Sequence, residues 1–119
     1  MGRLRNEVSY IRKLKTSEQY VRIRQALIDQ VSGPDGTIAA YYLDMIDNYM
    51  SLWVTQKALQ KDIEERGVTI PWNNGGGQKG VKKNESITEL NKTIMQMTKL
   101  LESLGLKPTD LASGANGDY

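Results

Sequence analysis

The chain has no cysteine, no histidine and no phenylalanine, and only three prolines among its 119 residues. Without cysteine there is no disulfide. Without cysteine or histidine the usual ligand sets for zinc, haem and iron–sulfur clusters are missing, so no metal site and no cofactor is expected. Catalysis would fall on carboxylates, lysine or tyrosine, and the acids sit on helix flanks such as Asp44, Asp47 and Glu64 with no visible convergence. Solvated helix charges explain them more simply, so the chain is expected not to be an enzyme. No apolar run approaches the roughly eighteen residues of a membrane span, and the start MGRLRNEVSYIRKLK lacks the apolar centre of a signal peptide. The expectation is a cytosolic protein without membrane contact.

What is present is organised around residues 38–66, IAAYYLDMIDNYMSLWVTQKALQKDIEER. Ile38, Tyr42, Met45, Tyr49, Leu52, Leu59 and Ile63 recur in alternating steps of four and three, with only Gln56 polar in the series. This spacing predicts one long helix carrying a heptad seam, roughly 43 Å from end to end at the helical rise. The breaker run Ser32-Gly33-Pro34-Asp35-Gly36 precedes it with Thr37 as N-cap, and Arg66-Gly67 closes it with a cation and a C′ glycine. A helix of that length in a chain of one domain's size needs helices beside it. With no phenylalanine and few other large apolar residues, oligomerisation is expected to supply part of the burial.

Net charge is +2, but it is unevenly spread. Residues 1–15 hold Arg3, Arg5, Arg12, Lys13 and Lys15 against Glu7 alone, whereas residues 34–66 carry six acids against three cations. The basic end is the candidate polyanion surface. Leu4, Val8, Ile11 and Leu14 fall at helical spacing with most of the cations off that stripe, which predicts a short basic amphipathic helix. Nucleic-acid contact and an ordinary solvated face fit it equally.

Thr16-Ser17-Glu18-Gln19 reads as a capping box, Thr16 as N-cap, opening a second helix to about Ser32 with Tyr20, Ile23, Leu27 and Val31 inward. Two consecutive amphipathic helices are compatible with a helix-turn-helix. After the long helix, Val68-Thr69-Ile70 and the turn run Asn73-Asn74-Gly75-Gly76-Gly77 predict a β-hairpin with strands at about 68–72 and 78–83, kept to an edge by Pro71. Gly75 to Gly80 formally matches a dinucleotide fingerprint, yet no helix opens directly from it and Val81 stands where a phosphate loop needs lysine, so nucleotide binding is discarded. Lys79, Lys82 and Lys83, with Trp72 near the tip, form a second basic patch, read either as a phosphate grip or as a solubilising edge.

A last helix begins at Asn84 or Ser86 and carries Ile87, Leu90, Ile94, Met97, Leu101 and Leu104 before Gly105 and Pro108 end it. The fold class expected is all-α: a helical hairpin of two long heptad-patterned helices joined by a small β-hairpin, preceded by two short N-terminal helices. The expected division is a basic N-terminal segment at 1–33, an oligomerisation core at 34–105 with its β-hairpin at 67–85, and a flexible tail at 106–119. Tyr42, Tyr49, Leu52, Leu59, Ile94, Met97 and Leu101 are the candidate oligomerisation residues. Arg3, Arg5, Arg12, Lys13 and Lys15 are the first-ranked DNA contacts, and Lys79, Lys82 and Lys83 the second.

From about Tyr42 to Asp110 the chain resembles the short small subunits of tailed-bacteriophage terminases. The resemblance rests on the aromatic-bearing helix ending in Glu65-Arg66-Gly67, then Val68-Thr69-Ile70, the Asn/Gly turn and Lys82-Lys83-Asn84. It continues through ITELNKTIMQMTKLLESLGL, residues 87–106, and Lys107-Pro108-Thr109-Asp110, with departures at Glu85 and Leu111. It implies a non-catalytic ring in the host cytoplasm that recognises double-stranded viral DNA and presents it to the large ATPase and nuclease subunit. The alternative from a different class is a small helical transcription regulator or protein-interaction module with basic N-terminal helices.

Overall fold

The computed structural model describes residues 2–106, with side chains from residue 6 onward. Four helices and one ribbon follow in order: α1 (Gly2–Lys15), α2 (Glu18–Val31), α3 (Ala40–Arg66), β1 (Thr69–Asn73), β2 (Lys79–Lys83) and α4 (Glu85–Ser103). The described chain is mostly helical with one two-stranded antiparallel sheet, as expected.

The helix starts differ in detail from the expected caps. Ser17, not Thr16, caps α2: its hydroxyl accepts from Tyr20 N–H at 3.2 Å and donates to the Leu14 carbonyl at 2.7 Å. Thr37 does not cap α3, because its hydroxyl and its N–H are both taken by Asp35 Oδ1, at 2.7 and 3.1 Å. The N-cap is Ala39, which offers no side-chain acceptor. At α4 the cap is Asn84, whose Oδ1 accepts from Ser86 N–H at 3.0 Å.

Three contacts show how α1 and α2 lie. Lys61 Nζ sits 4.3 Å from the Tyr10 ring centre, Tyr20 meets Trp53 edge to face at 5.8 Å, and Arg24 pairs with Asp47 at 3.0 Å. As the chain advances through α1 and α2 it therefore moves backward along α3. Tyr10 and Arg24 are separated by fourteen positions, and so are their partners Lys61 and Asp47.

The core is a single cluster of Leu27, Ile46, Met50, Trp53, Val54, Met97, Leu104 and Leu106. On α3 the buried stripe thus runs 46, 50, 53 and 54, beside the expected line, whose Ile38, Tyr42, Met45, Tyr49 and Leu52 pack partly buried at its rim. The cause is that α3 is flanked on one side by α1 and α2 and on another by α4, so the residues between the two contacts are the ones shut off from water. Leu106, expected in the tail, is buried, with its N–H on the Leu101 carbonyl. The rest of that tail, 107–119, lies outside the described residues.

Candidate nucleic-acid interface and the polar node that carries it

The ribbon is joined to the helices by a polar node. Arg66 reaches back one turn to Asp62 with two hydrogen bonds, Nε to Oδ1 at 2.7 Å and Nη2 to Oδ2 at 2.8 Å. This is the fork geometry that suits guanidinium and carboxylate. Asn84 is fully buried, and every polar group of its side chain is used. Its Oδ1 accepts from Arg66 Nη2 at 3.1 Å and from Ser86 N–H, while its Nδ2 donates to the Gly67 carbonyl at 2.9 Å and to Asp62 Oδ2 at 3.2 Å. Ser86 Oγ adds a 2.7 Å bond to the same Asp62 oxygen.

These donors stabilise the ionised carboxylate. The Arg66 hydrogen bonds first, with Ser86 and Asn84 behind them, hold Asp62 well below the usual carboxylate range against the opposing effect of its burial. Arg66 is shifted up in turn, chiefly by its bond to Asp62. Gly67 makes the turn out of the helix at φ +84°, a region that suits glycine, and leaves its carbonyl facing Asn84.

Beyond the node the strands pair Thr69 with Lys83, Ile70 with Lys82, Pro71 with Val81, Trp72 with Gly80 and Asn73 with Lys79. Directly opposed residues share a face. One face carries Ile70, Trp72, Gly80 and Lys82. The Trp72 indole lies over Gly80 so closely that a Cβ there would fall 2.7 Å from its Nε1, and Lys82 is drawn to Glu85 at 3.3 Å. The other face carries Thr69, Pro71, Asn73, Lys79, Val81 and Lys83, all exposed.

The first-ranked cations are placed less compactly. Arg12, Lys13 and Lys15 occupy the exposed last turn of α1, where cations complement the helix dipole. Arg3 and Arg5 lie on α1 with side chains outside those described. Lys13 also lines a groove of about 860 Å³ between α1 and α3, with Tyr10, Ile11, Val54, Ala58 and Leu59. The structure does not bring Lys13 and Lys83 into one cluster by any contact.

Of the candidate oligomerisation residues, Ile94 is exposed and Leu59 lines the groove. Tyr42, Tyr49, Leu52 and Leu101 are partly buried against the core, and Met97 is buried within it. Asp62, Asn84 and Ser86 were not singled out from the sequence as functional. A signal was present, since Arg66, Gly67 and Asn84 stand within the blocks that carry the resemblance, and here they touch.

A long helix flanked on two sides, with a cationic ribbon projecting from a polar hinge, defines a small helical scaffold that presents a basic surface. Among the described residues no group of histidines, cysteines or carboxylates is placed to hold a metal, and no helix is long and apolar enough to cross a membrane. The profile of the phage terminase small-subunit family matches residues 16–115, and the chain belongs to that family of genome-packaging proteins. No curated protein and no solved structure matches it. The matched span includes the ribbon and its node, and it begins just after α1.

Proposed function

We propose that this chain is the non-catalytic, DNA-recognising partner in phage genome packaging, a homo-oligomer, as a ring, that presents double-stranded viral DNA to the large ATPase and nuclease subunit. The site of action is the cytoplasm of the bacterial host. The observation that carries the reading is family membership together with exposed cations at two places, the last turn of α1 and the outer face of the ribbon. In this reading residues 1–33 supply the larger electrostatic attraction and residues 34–105 supply the subunit contacts. Tyr42, Tyr49, Leu52, Leu59, Ile94 and Leu101 border the surface that a neighbouring copy would cover, and Met97 supports it from within.

A ring repeats a weak cationic site around its axis and so raises avidity without new contacts. Light scattering on the purified chain should give an assembly larger than a dimer. Fluorescence anisotropy on a labelled duplex should show affinity falling steeply with salt, because each neutralised phosphate releases close to one counterion. Arg12→Ala with Lys13→Ala should flatten that slope by about two per engaged subunit. A monomer, or salt-independent binding, would overturn the proposal.

A further inference from the structure

Residues 68–84 contain three lysines and no acid, and the ribbon they build is the described element with the least cover from the helices. A two-stranded hairpin on its own is marginal in water, and this one is fixed at its base by the polar node. Both of its edges are blunted against strand addition. Asn84 N–H donates to Val68 O and Asn74 N–H to Gln78 O, so the even-numbered pairs carry the ladder bonds and the odd positions point outward. Pro71 removes the outward donor at the middle of β1, and Lys79 and Lys83 stand at the two ends of β2, where edge lysines oppose pairing. Another ribbon of the same kind would meet it with like charge.

What remains is a face, and that face has a pattern. Along it lie Asn73 with Lys79, then Pro71 with Val81, then Thr69 with Lys83: an apolar pair between two pairs that each hold a lysine and a hydrogen-bonding side chain. Val81 is 72% exposed, while on the opposite face Trp72 is folded over Gly80 and Lys82 is drawn to Glu85. The B-form major groove, about 12 Å wide, admits a two-stranded ribbon. At its floor, apolar side chains meet thymine methyl groups and threonine reaches base edges, while Asn73, whose Oδ1 already accepts from Gly75 N–H at 2.8 Å, has its amide donors to offer. Lysines at the two ends meet the phosphates.

We propose that the ribbon enters the DNA major groove with its Thr69, Pro71, Asn73, Lys79, Val81 and Lys83 face, Lys79 and Lys83 on phosphates and Val81 at the base edges. This rests on the DNA-binding reading above and divides the labour within it: the basic end of α1 attracts the duplex, and the ribbon reads it. The position of the ribbon inside the family-matched span, with α1 outside it, favours the same division. Lys82, tied to Glu85, is not part of the contact.

The test uses the full chain and a mixed-sequence 30-base-pair duplex, with anisotropy read across a salt series and in the presence of methyl green, a major-groove ligand, or netropsin, a minor-groove one. Lys79→Gln with Lys83→Gln should flatten the salt slope by about two per engaged ribbon and abolish the sensitivity to methyl green. Light-scattering mass and far-ultraviolet circular dichroism should stay unchanged. Lys92→Gln with Lys99→Gln, which removes the same charge from exposed positions on α4, should leave slope and competition as in the parent. The inference falls if the ribbon pair keeps full affinity and slope. It falls equally if netropsin alone competes, or if the ribbon pair changes the assembly mass, which would make the ribbon a subunit contact. If the parent chain binds no duplex at any salt, the DNA reading itself fails; if it binds and only the ribbon pair is silent, this inference alone does.

Discussion

At Ile46, Met50, Trp53 and Val54 the long helix is held by apolar side chains shut away from water, whereas about two turns further on, at Asp62 and Arg66, it is held by an ion pair and hydrogen bonds. The two modes differ in what they specify. Apolar burial is roughly proportional to area and largely indifferent to direction, so it tolerates exchanges of similar volume. The node is directional: Asn84 satisfies four partners at once, and no other rotamer or residue of that size would do so. The body of the molecule thus supplies most of the stability, and the node sets where the ribbon points.

The largest effect that would sharpen this contrast is expected in the body. Met50 has no exposed surface, and Met50→Ala leaves a cavity at a cost of about 2–5 kcal/mol. Urea unfolding should show a lower midpoint at unchanged slope, and hydrogen exchange should quicken throughout. A loss confined to the ribbon amides would contradict the assignment of Met50 to the global core.

Asn84→Ala removes the α4 cap and the hinge together, with an expected cost of about 1–3 kcal/mol. Its signature should be local. Amide exchange over 69–83 should accelerate well beyond that of 46–54, where Met50→Ala should quicken both alike. Equal acceleration in both regions would remove the distinction between body and node.

A smaller effect belongs to Asp62, and it depends on pH. Because its carboxyl is held below its unfolded value, the unfolded chain binds the extra proton, so the contribution is fully present above the ordinary aspartate pKa of about 3.9 and is lost as pH falls below it. Asp62→Asn should therefore be less stable than the parent at neutral pH, and the two curves should converge on acidification. A difference that stays constant down to pH 2 would show that the ion pair is not what the carboxylate contributes.

Much of the fold was legible because its punctuation is local. Ser32-Gly33-Pro34-Asp35-Gly36 and Gly67 break helices wherever they occur, and the Asn/Gly run turns a hairpin whatever surrounds it. Caps were less legible, since Thr16 and Ser17 offer neighbouring hydroxyls and only the path of the backbone selects one. The node was visible only as resemblance: Arg66, Gly67 and Asn84 stand eighteen positions apart at their extremes, and no periodicity joins them.

The sequence by itself determined the elements, their order, and the concentration of cations in α1 and on the ribbon, because propensity, turn chemistry and charge are properties of short stretches. The tertiary structure alone decided which stripe of α3 is buried and that α1 and α2 pack against it in reverse order along its length. It also decided that Asp62, Arg66, Asn84 and Ser86 meet. A heptad count describes one partner for a helix, and α3 has neighbours on two sides. Hydrogen-bond networks between distant residues exist only once packing has brought their donors and acceptors within about 3 Å.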